Sequence, residues 1–424
     1  MHQALFERID GQREALVDLA RGLIRIPTVN PPGDAYDECA RHLGERLAQR
    51  GFAVTYLRAE GAHGDSDRHP RQNVIARIEG SGPGPCVHFN GHLDVVDPAS
   101  GWTLDPFAGT LRDGRLYGRG ACDMKGGIAA AVIAIESILE AGIPFAGALE
   151  ISGTADEETG GLGGVAWLAE RGWFSAPRVD HVIIPEPLNV DRICLGHRGV
   201  WWAEIETFGR AAHGSMPFLG DCAVRHMGAL LERIERRLLP RLAERVTAMP
   251  VVPADARRST LNIAALHGGL GESHGDVPSP MVPHRCRMLI DRRFLIEEDL
   301  SAVKAEMRTL LDELKGSRAG FDYGIRDVLE VLPAMTPQDA PVVRALQAGI
   351  EEVLQRPADL VASPGTYDQK HIYRVGKLEH CVAYGPGILE LAHQPDEYVV
   401  IDDLVASAKV MAAAALSLLG AAPS

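Results

Sequence analysis

The sequence predicts an α/β protein of two domains: a mixed, mostly parallel sheet with helices on both faces, and a smaller α+β block. Three observations predict it. At 424 residues the chain exceeds what one hydrophobic core usually organises. Through its first half, short β-branched or aromatic runs alternate with helical periods, the pattern of a parallel α/β layer. Near Gly199 that pattern gives way to alternating strands and two long helical stretches.

Taken in order, Leu5 to Ile26 has a helical period, Thr28 to Gly33 is a Pro-Gly loop, and Ala35 to Gly51 is a second helix ended by glycine. Strands follow at Phe52–Leu57, Asn73–Ile78 and Cys86–Val96, then a helix at Lys125–Ala141 and strands at Ala148–Thr154 and Asp180–Ile184. Past Gly199, Val200–Thr207, Leu261–Leu266 and Arg285–Phe294 read as strands. Gly220–Val246 and Glu297–Leu314 read as helices, and Gly268–Pro283 is a Gly-, His- and Pro-rich loop. After the turn at Gly316–Gly320 come a helix (Ala340–Leu354), a Ser-Pro-Gly loop at 363–365, a strand (Cys381–Tyr384) and a final helix (Asp402–Leu419). Domain segments of 1–198, 199–315 and 316–424 are expected.

Composition excludes several classes. Hydrophobic residues at 46% and charged residues at 24% match a globular chain rather than a disordered or fibrous one. With 57 acidic against 43 basic residues the formal charge is −14, which repels a phosphate backbone, so nucleic acid is not an expected partner. The longest apolar runs, Ile128–Ile135 and Val410–Leu419, fall short of the roughly 20 residues of a bilayer span. Met1–Leu23 carries Glu7, Asp10, Glu14 and Asp18 and reads as an amphipathic helix, not a secretory leader. Seven scattered cysteines without a CxxC pair argue against a disulfide framework or thiolate zinc, and for a cytoplasmic location.

Polar residues gather at the ends of apolar segments. In His88-Phe89-Asn90-Gly91-His92-Leu93-Asp94 strict alternation puts His88, Asn90, His92 and Asp94 on one face, where a metal ion or a simple His–Asp hydrogen bond would compensate them. Asp123 stands in the glycine-lined turn Gly118–Gly127 before a helix; by itself it reads as an N-cap sooner than as a ligand. The apolar strand Leu149–Gly153 runs into Asp156-Glu157-Glu158, three carboxylates that repel one another unless a cation or protons intervene, and that alone would read as a solvated acidic turn. Adjacent side chains diverge, so one carboxylate can ligate while its neighbour stays free to take a proton. Glu186 follows another apolar strand between two prolines, and His393 lies in Ala392-His393-Gln394-Pro395. Together His92, Asp123, Glu158, Glu186 and His393 form a nitrogen and oxygen ligand set suited to zinc, manganese or cobalt, enough for two ions if one ligand bridges.

These stretches, GHLDVVDP, GRGACDMKGG, TADEETGG, PEP, AAHGSMP, GTYDQKH and AHQPDEYV, resemble the M20 family of metallopeptidases and deacylases, in family order over nearly the whole chain. The resemblance implies a two-metal hydrolase, with zinc as the first expectation and manganese or cobalt as substitutes. It implies that Asp123 bridges the ions, that His92 and Glu186 complete one site and Glu158 and His393 the other, that Asp94 orients His92 and that Glu157 is the general base. It further implies that the block from Gly199 to Lys315 is an inserted lid and homodimerisation domain, whose His213 polarises the scissile carbonyl of its own or a partner's site.

For a small-molecule substrate, the resemblance places Arg292, Gly365 and Thr366 where a carboxylate is held, with Asn262 as a second polar contact and Arg293 as the alternative arginine. The chain departs from the deacylase pattern at Tyr367, Gln369, Lys370 and His371. Lys370 takes the place of an arginine and keeps the charge without the planar fork, and the bulk of the other three implies an altered pocket. The expected reaction is hydrolysis of an amide C–N bond in an N-acyl amino acid or related carboxylate-bearing amide. Dipeptides, free-amine peptides and aromatic amides are the alternatives, and a non-catalytic metal-binding homologue is disfavoured because Glu157 and Asp123 are both present.

Overall fold

A computed structural model describes residues 2–269 and 281–420. The chain forms two compact units, one of Met1–Gly196, Met335–Val361 and Tyr367–Ser424, the other of His197–Ala334 and Ala362–Thr366.

The first unit is built on one large sheet. Its strands lie in the order Ala53–Arg58, Gln72–Glu79, Ala148–Thr154, Cys86–His92, His181–Ile184, Cys381–Ala383, Arg192–His197. The middle is parallel: Cys86–His92 pairs with Ala148–Thr154 and His181–Ile184, and Cys381–Ala383 pairs with His181–Ile184. Ala53–Arg58 and Gln72–Glu79 extend one edge antiparallel. Four parallel strands therefore end side by side, and the crevice beyond their carboxyl ends is where α/β sheets bind ligands.

Helices flank this sheet. Lys125–Glu140 is buried continuously from Lys125 to Ile138 and packs against Arg13–Ile24 and Ile401–Leu418. Burying Ile128, Val132, Ile133, Ile135 and Ile138 stabilises by roughly 1.5–3 kcal/mol each, so Asp123 is mounted at the end of a firmly held helix. Two glycines let that helix close in. A Cβ on Gly91 would meet Ile128 at 2.4 Å, and one on Gly127 would meet the Pro185 carbonyl at 2.0 Å, just before Glu186. The expected helix over 5–26 is two helices, Gln3–Gly11 and Arg13–Ile24, because the chain breaks after Gly11.

The second unit is a four-stranded antiparallel sheet in the order Thr260–Gly268, Arg285–Phe294, Gly199–Phe208, Asp322–Val331. One face packs Trp201, Ala203, Ile205, Met288, Ile290 and Phe294 against the helices Ala223–Arg233 and Leu300–Ser317. Asp299 caps the latter, its carboxylate accepting from the Ala302 amide at 3.1 Å. The stretch read as one helix over 220–246 is broken into Ala223–Arg233, a π turn at Ile234–Leu238 and Leu239–Glu244; Pro240, which lacks an N–H, accounts for the irregular turn.

The unit also runs past the boundary expected at 315. Asp322–Val331 pairs with Gly199–Phe208, and a register shift between Asp327 and Leu329 breaks the alternation that would have marked it as a strand. The expected loop at 268–283 lies largely outside the described residues. Among the described residues no helix is long and apolar enough to cross a membrane. Among the described residues no disulfide joins any of the seven cysteines.

Candidate metal centre

Five polar side chains from five different segments meet beyond the parallel strand ends. His92 is the last residue of Cys86–His92, Glu158 lies in the short turn Glu157–Thr159 after Ala148–Thr154, and Glu186 follows His181–Ile184. Asp123 precedes the buried helix, and His393 follows the turn Leu389–Leu391. His92 Nε2 lies 3.0 Å from Asp123 Oδ1 and 3.9 Å from Glu186 Oε1. His393 Nε2 lies 3.5 Å from Asp123 Oδ2 and 3.2 Å from Glu158. The two oxygens of Asp123 thus face different histidines. Two triads result, His92–Asp123–Glu186 and Asp123–Glu158–His393, each with ligand atoms within 4.8 Å of one another.

The electrostatics of the cluster are those of a site built for cations. Burial works against a charged His92, yet hydrogen bonds with Asp123 and Asp94 push its pKa well up. Hydrogen bonds to Asp123 and Glu158 raise His393 to about 10. Burial lifts Glu158 to about 7 despite His393, and burial together with Asp123 holds Glu186 well above the usual carboxylate range. Asp123 goes the other way: against burial, His393 and His92 keep it below that range. Without a cation, three carboxylates and two imidazoles must share protons to be compatible. Divalent ions would replace those protons, and the all-nitrogen-and-oxygen donor set fits zinc, manganese or cobalt.

Each carboxylate of Asp156-Glu157-Glu158 has its own cation. Asp156 turns inward to Arg71 at 3.0 Å and accepts from the Tyr36 hydroxyl at 3.2 Å. Glu158 faces His393. Glu157 Oε1 accepts from Lys370 Nζ at 2.9 Å and belongs to neither triad. The Asp94 carboxylate does not bond chiefly to His92. His92 Nδ1 is 3.0 Å from the Asp94 backbone oxygen, whereas the carboxylate accepts from the amides of Glu157 at 3.2 Å and Glu158 at 3.1 Å and from Asn30 at 3.0 Å. Asp94 therefore fixes the turn bearing both glutamates as well as the ring of His92.

The sequence profile of Peptidase family M20/M25/M40 matches residues 88–417. The chain belongs to peptidase family M20. It is 31% identical over 406 residues to a succinyl-diaminopimelate desuccinylase of Rhodospirillum centenum, covering 92% of this chain and 93% of the relative. The fold is shared with human carnosine dipeptidase 1 at a TM-score of 0.76 and 19% identity, covering 99% of this chain and 98% of that one. A dinuclear metal binding peptidase of the M20 family from Bacillus subtilis superposes at 0.70 with 16% identity, covering 97% and 100%. The protein is a metal-dependent amidohydrolase or peptidase of the M20 family.

The other site residues named from the M20 pattern divide between the units. Glu157, Asp94 and Lys370 belong to the first, with the five ligands; His213, Asn262, Arg292, Gly365 and Thr366 belong to the second. His213 is exposed, its Nδ1 2.7 Å from the Ser215 hydroxyl. Arg292 needs correction as a substrate contact. The two-residue period of Arg285–Phe294 puts it on the helix-covered face with Met288, Ile290 and Phe294, where its guanidinium donates to Glu298 at 2.7 Å. Arg293 lies on the opposite face, half-buried and paired with Asp291 at 2.8 Å, and Asn262, opposite Asp291 in the register, shares that face.

Lys370, expected as a substrate contact, is turned inward onto Glu157; burial works against its ammonium, but Glu157 and Asp368 raise its pKa. The bulk of Tyr367 and Gln369 does not reshape a pocket either. Tyr367 is buried with its hydroxyl donating to the Cys194 carbonyl, and Gln369 donates to the carbonyls of Leu195 at 2.9 Å and Cys381 at 2.6 Å. His371 lies 2.7 Å from the Gly160 carbonyl.

No local sequence pattern singles out Glu397, which the fold brings against the Asp123 turn. Its Oε1 accepts from the amides of Gly120 at 3.1 Å, Cys122 at 2.8 Å and Asp123 at 3.1 Å, and its Oε2 pairs with buried Arg119. Glu397 thereby shapes the turn that presents Asp123. It stands in the matched stretch AHQPDEYV, but only folding brings it to residues more than 270 positions away.

Proposed function

We propose that this protein hydrolyses the amide bond of a small N-acyl amino acid or a related carboxylate-bearing amide, with two divalent ions held by the triads that share Asp123. The observation that carries the reading is the division of Asp123: one oxygen toward His92, the other toward His393, with Glu157 close by and in neither set. Zinc is the first choice, with manganese or cobalt as substitutes. Bound there, such ions would supply a water acidic enough to be deprotonated near neutral pH and positive charge for the amide oxygen.

Glu157 accepts a proton from the attacking water. As the C–N bond breaks it passes that proton to the departing nitrogen, leaving a carboxylate and an amine. His213 donates a hydrogen bond to the carbonyl oxygen, from the same chain or from a second copy in a homodimer. Arg293, with Asn262, Gly365 and Thr366, holds the substrate carboxylate. The similarity to desuccinylases at 31% identity supports acyl amino acids as the substrate class, and seven cysteines without a disulfide among the described residues fit a reducing cytoplasm.

The test is turnover of the protein loaded with zinc, manganese or cobalt on N-acetyl and N-succinyl amino acids, dipeptides and aromatic amides, alongside Glu157→Gln. N-acyl amino acids should be cleaved fastest. Glu157→Gln should keep its metal and lose roughly 10²–10⁴ in kcat. Preferred cleavage of dipeptides or aromatic amides would move the substrate assignment, and a fully active Glu157→Gln would remove the base.

A further inference from the structure

Glu157 poses a problem for the cluster around it. It stands between Asp156 and Glu158 and faces a site that attracts divalent cations, yet a base must stay unligated to take a proton. We propose that Lys370 is a positioning residue that holds Glu157 by one carboxylate oxygen and keeps it out of the coordination sphere, braced by a buried hydrogen-bonded chain beneath the sheet. The inference rests on the reading of Glu157 as the base.

Lys370 and Glu157 are both nearly shielded from solvent, with the side chains 4% and 11% exposed. Nζ sits 2.9 Å from Oε1, so Oε2 is the oxygen left to face a water. Asp368, two residues before Lys370 and 1% exposed, adds a second negative charge that acts on the same ammonium. Asp368 is fixed in turn: its Oδ2 accepts from Asn90 Nδ2 at 3.0 Å.

Behind Asn90 the chain continues. Ser152 Oγ donates to Asn90 Oδ1 at 2.7 Å and lies 2.7 Å from His88 Nε2; His88 Nδ1 lies 2.8 Å from Glu150 Oε1. The strand register makes this possible, because His88 lies opposite Glu150 and Asn90 opposite Ser152 on parallel neighbours. All four are fully buried, and the far end is closed by Arg178 on Glu150. Polar groups buried this deeply are costly unless their partners are met; His88, Asn90, Glu150 and Ser152 are each hydrogen-bonded along the chain, and such a chain rigidifies the site it reaches. The direction of each bond follows from Asn90: its amide nitrogen is spent on Asp368, so its oxygen must accept from Ser152, whose single proton is then committed, and His88 Nε2 donates to Ser152.

The experiment compares cobalt-loaded wild type with Lys370→Met, Lys370→Arg, Asn90→Ala and Glu157→Gln. In Lys370→Met the freed Glu157 carboxylate should enter coordination, shifting the cobalt absorption spectrum, and kcat on the best N-acyl amino acid should fall roughly 10²-fold or more with KM little changed. The double variant Glu157→Gln/Lys370→Met should restore the wild-type spectrum, and Lys370→Arg should recover part of kcat. Asn90→Ala, which touches neither partner, should lower kcat by about tenfold with its circular dichroism unchanged.

A Lys370→Met protein with the wild-type spectrum and kcat overturns the proposal. If that variant does not fold, a folded Asn90→Ala with full kcat overturns it instead. Full activity in Glu157→Gln would defeat the base assignment itself, an outcome separate from a Glu157→Gln that is inactive beside a Lys370→Met that is not.

Discussion

The strand ends of the first unit and the helix-covered sheet face of the second both carry charged residues, but they balance those charges differently. In the first, buried carboxylates outnumber their cations, and pKa values diverge within a few ångströms: Glu158 near 7, Asp123 below its usual range, His393 near 10. In the second, Arg292 is buried and met by Glu298, which also takes Arg245 and Ser259, so the network closes on itself. Unbalanced buried charge marks the place that needs an ion; balanced buried charge marks scaffold.

Replacing the shared ligand is the largest test of that contrast. Asp123→Ala should lose both ions together and lose activity by at least the roughly 10²–10⁴-fold expected of a missing base, read by elemental analysis and turnover. Loss of one ion only would mean that the triads are independent. Glu397→Gln keeps every ligand but weakens the clamp on the Asp123 turn, and metal affinity should fall about 10–100-fold in a chelator competition assay.

The two arginines sharpen the contrast in the second unit. Arg293→Ala should reduce kcat/KM by about 10–100-fold, the size of a lost charged hydrogen bond, with little change in Tm. Arg292→Leu should cost about 1–3 kcal/mol of stability, read by denaturant melts, while KM holds. The reverse pattern would return the substrate role to Arg292.

The change per unit of pH is smaller. His393 and Glu158, raised to about 10 and about 7 in the metal-free protein, must lose protons to ligate. Metal affinity should therefore rise with pH, roughly tenfold per unit for each proton displaced, and loading at pH 7 should release protons to the buffer. Calorimetry in buffers of different ionisation enthalpy measures that release, and affinity independent of pH between 6 and 8 would contradict it.

What the sequence made legible followed the strength of local pattern. His92, Asp123, Glu158 and Glu186 each stand where an apolar segment begins or ends, so their convergence followed from a sheet whose parallel strands finish together. Asp322–Val331 was missed because its bulge broke the two-residue period. Arg292 and Arg293 are adjacent, and only strand register says which faces the core. Glu397 and Asp368 act through partners hundreds of residues away, Cys122 and Asn90, so no local pattern announces them.

The central claim is that Asp123 divides two triads, each holding a divalent ion. An anomalous difference map from crystals of the zinc-loaded protein tests it most directly. Two peaks about 3.5–4 Å apart, one against His92 and Glu186 and the other against Glu158 and His393, are the expected result. A single peak, or density on Glu157 in place of Glu158, would contradict it.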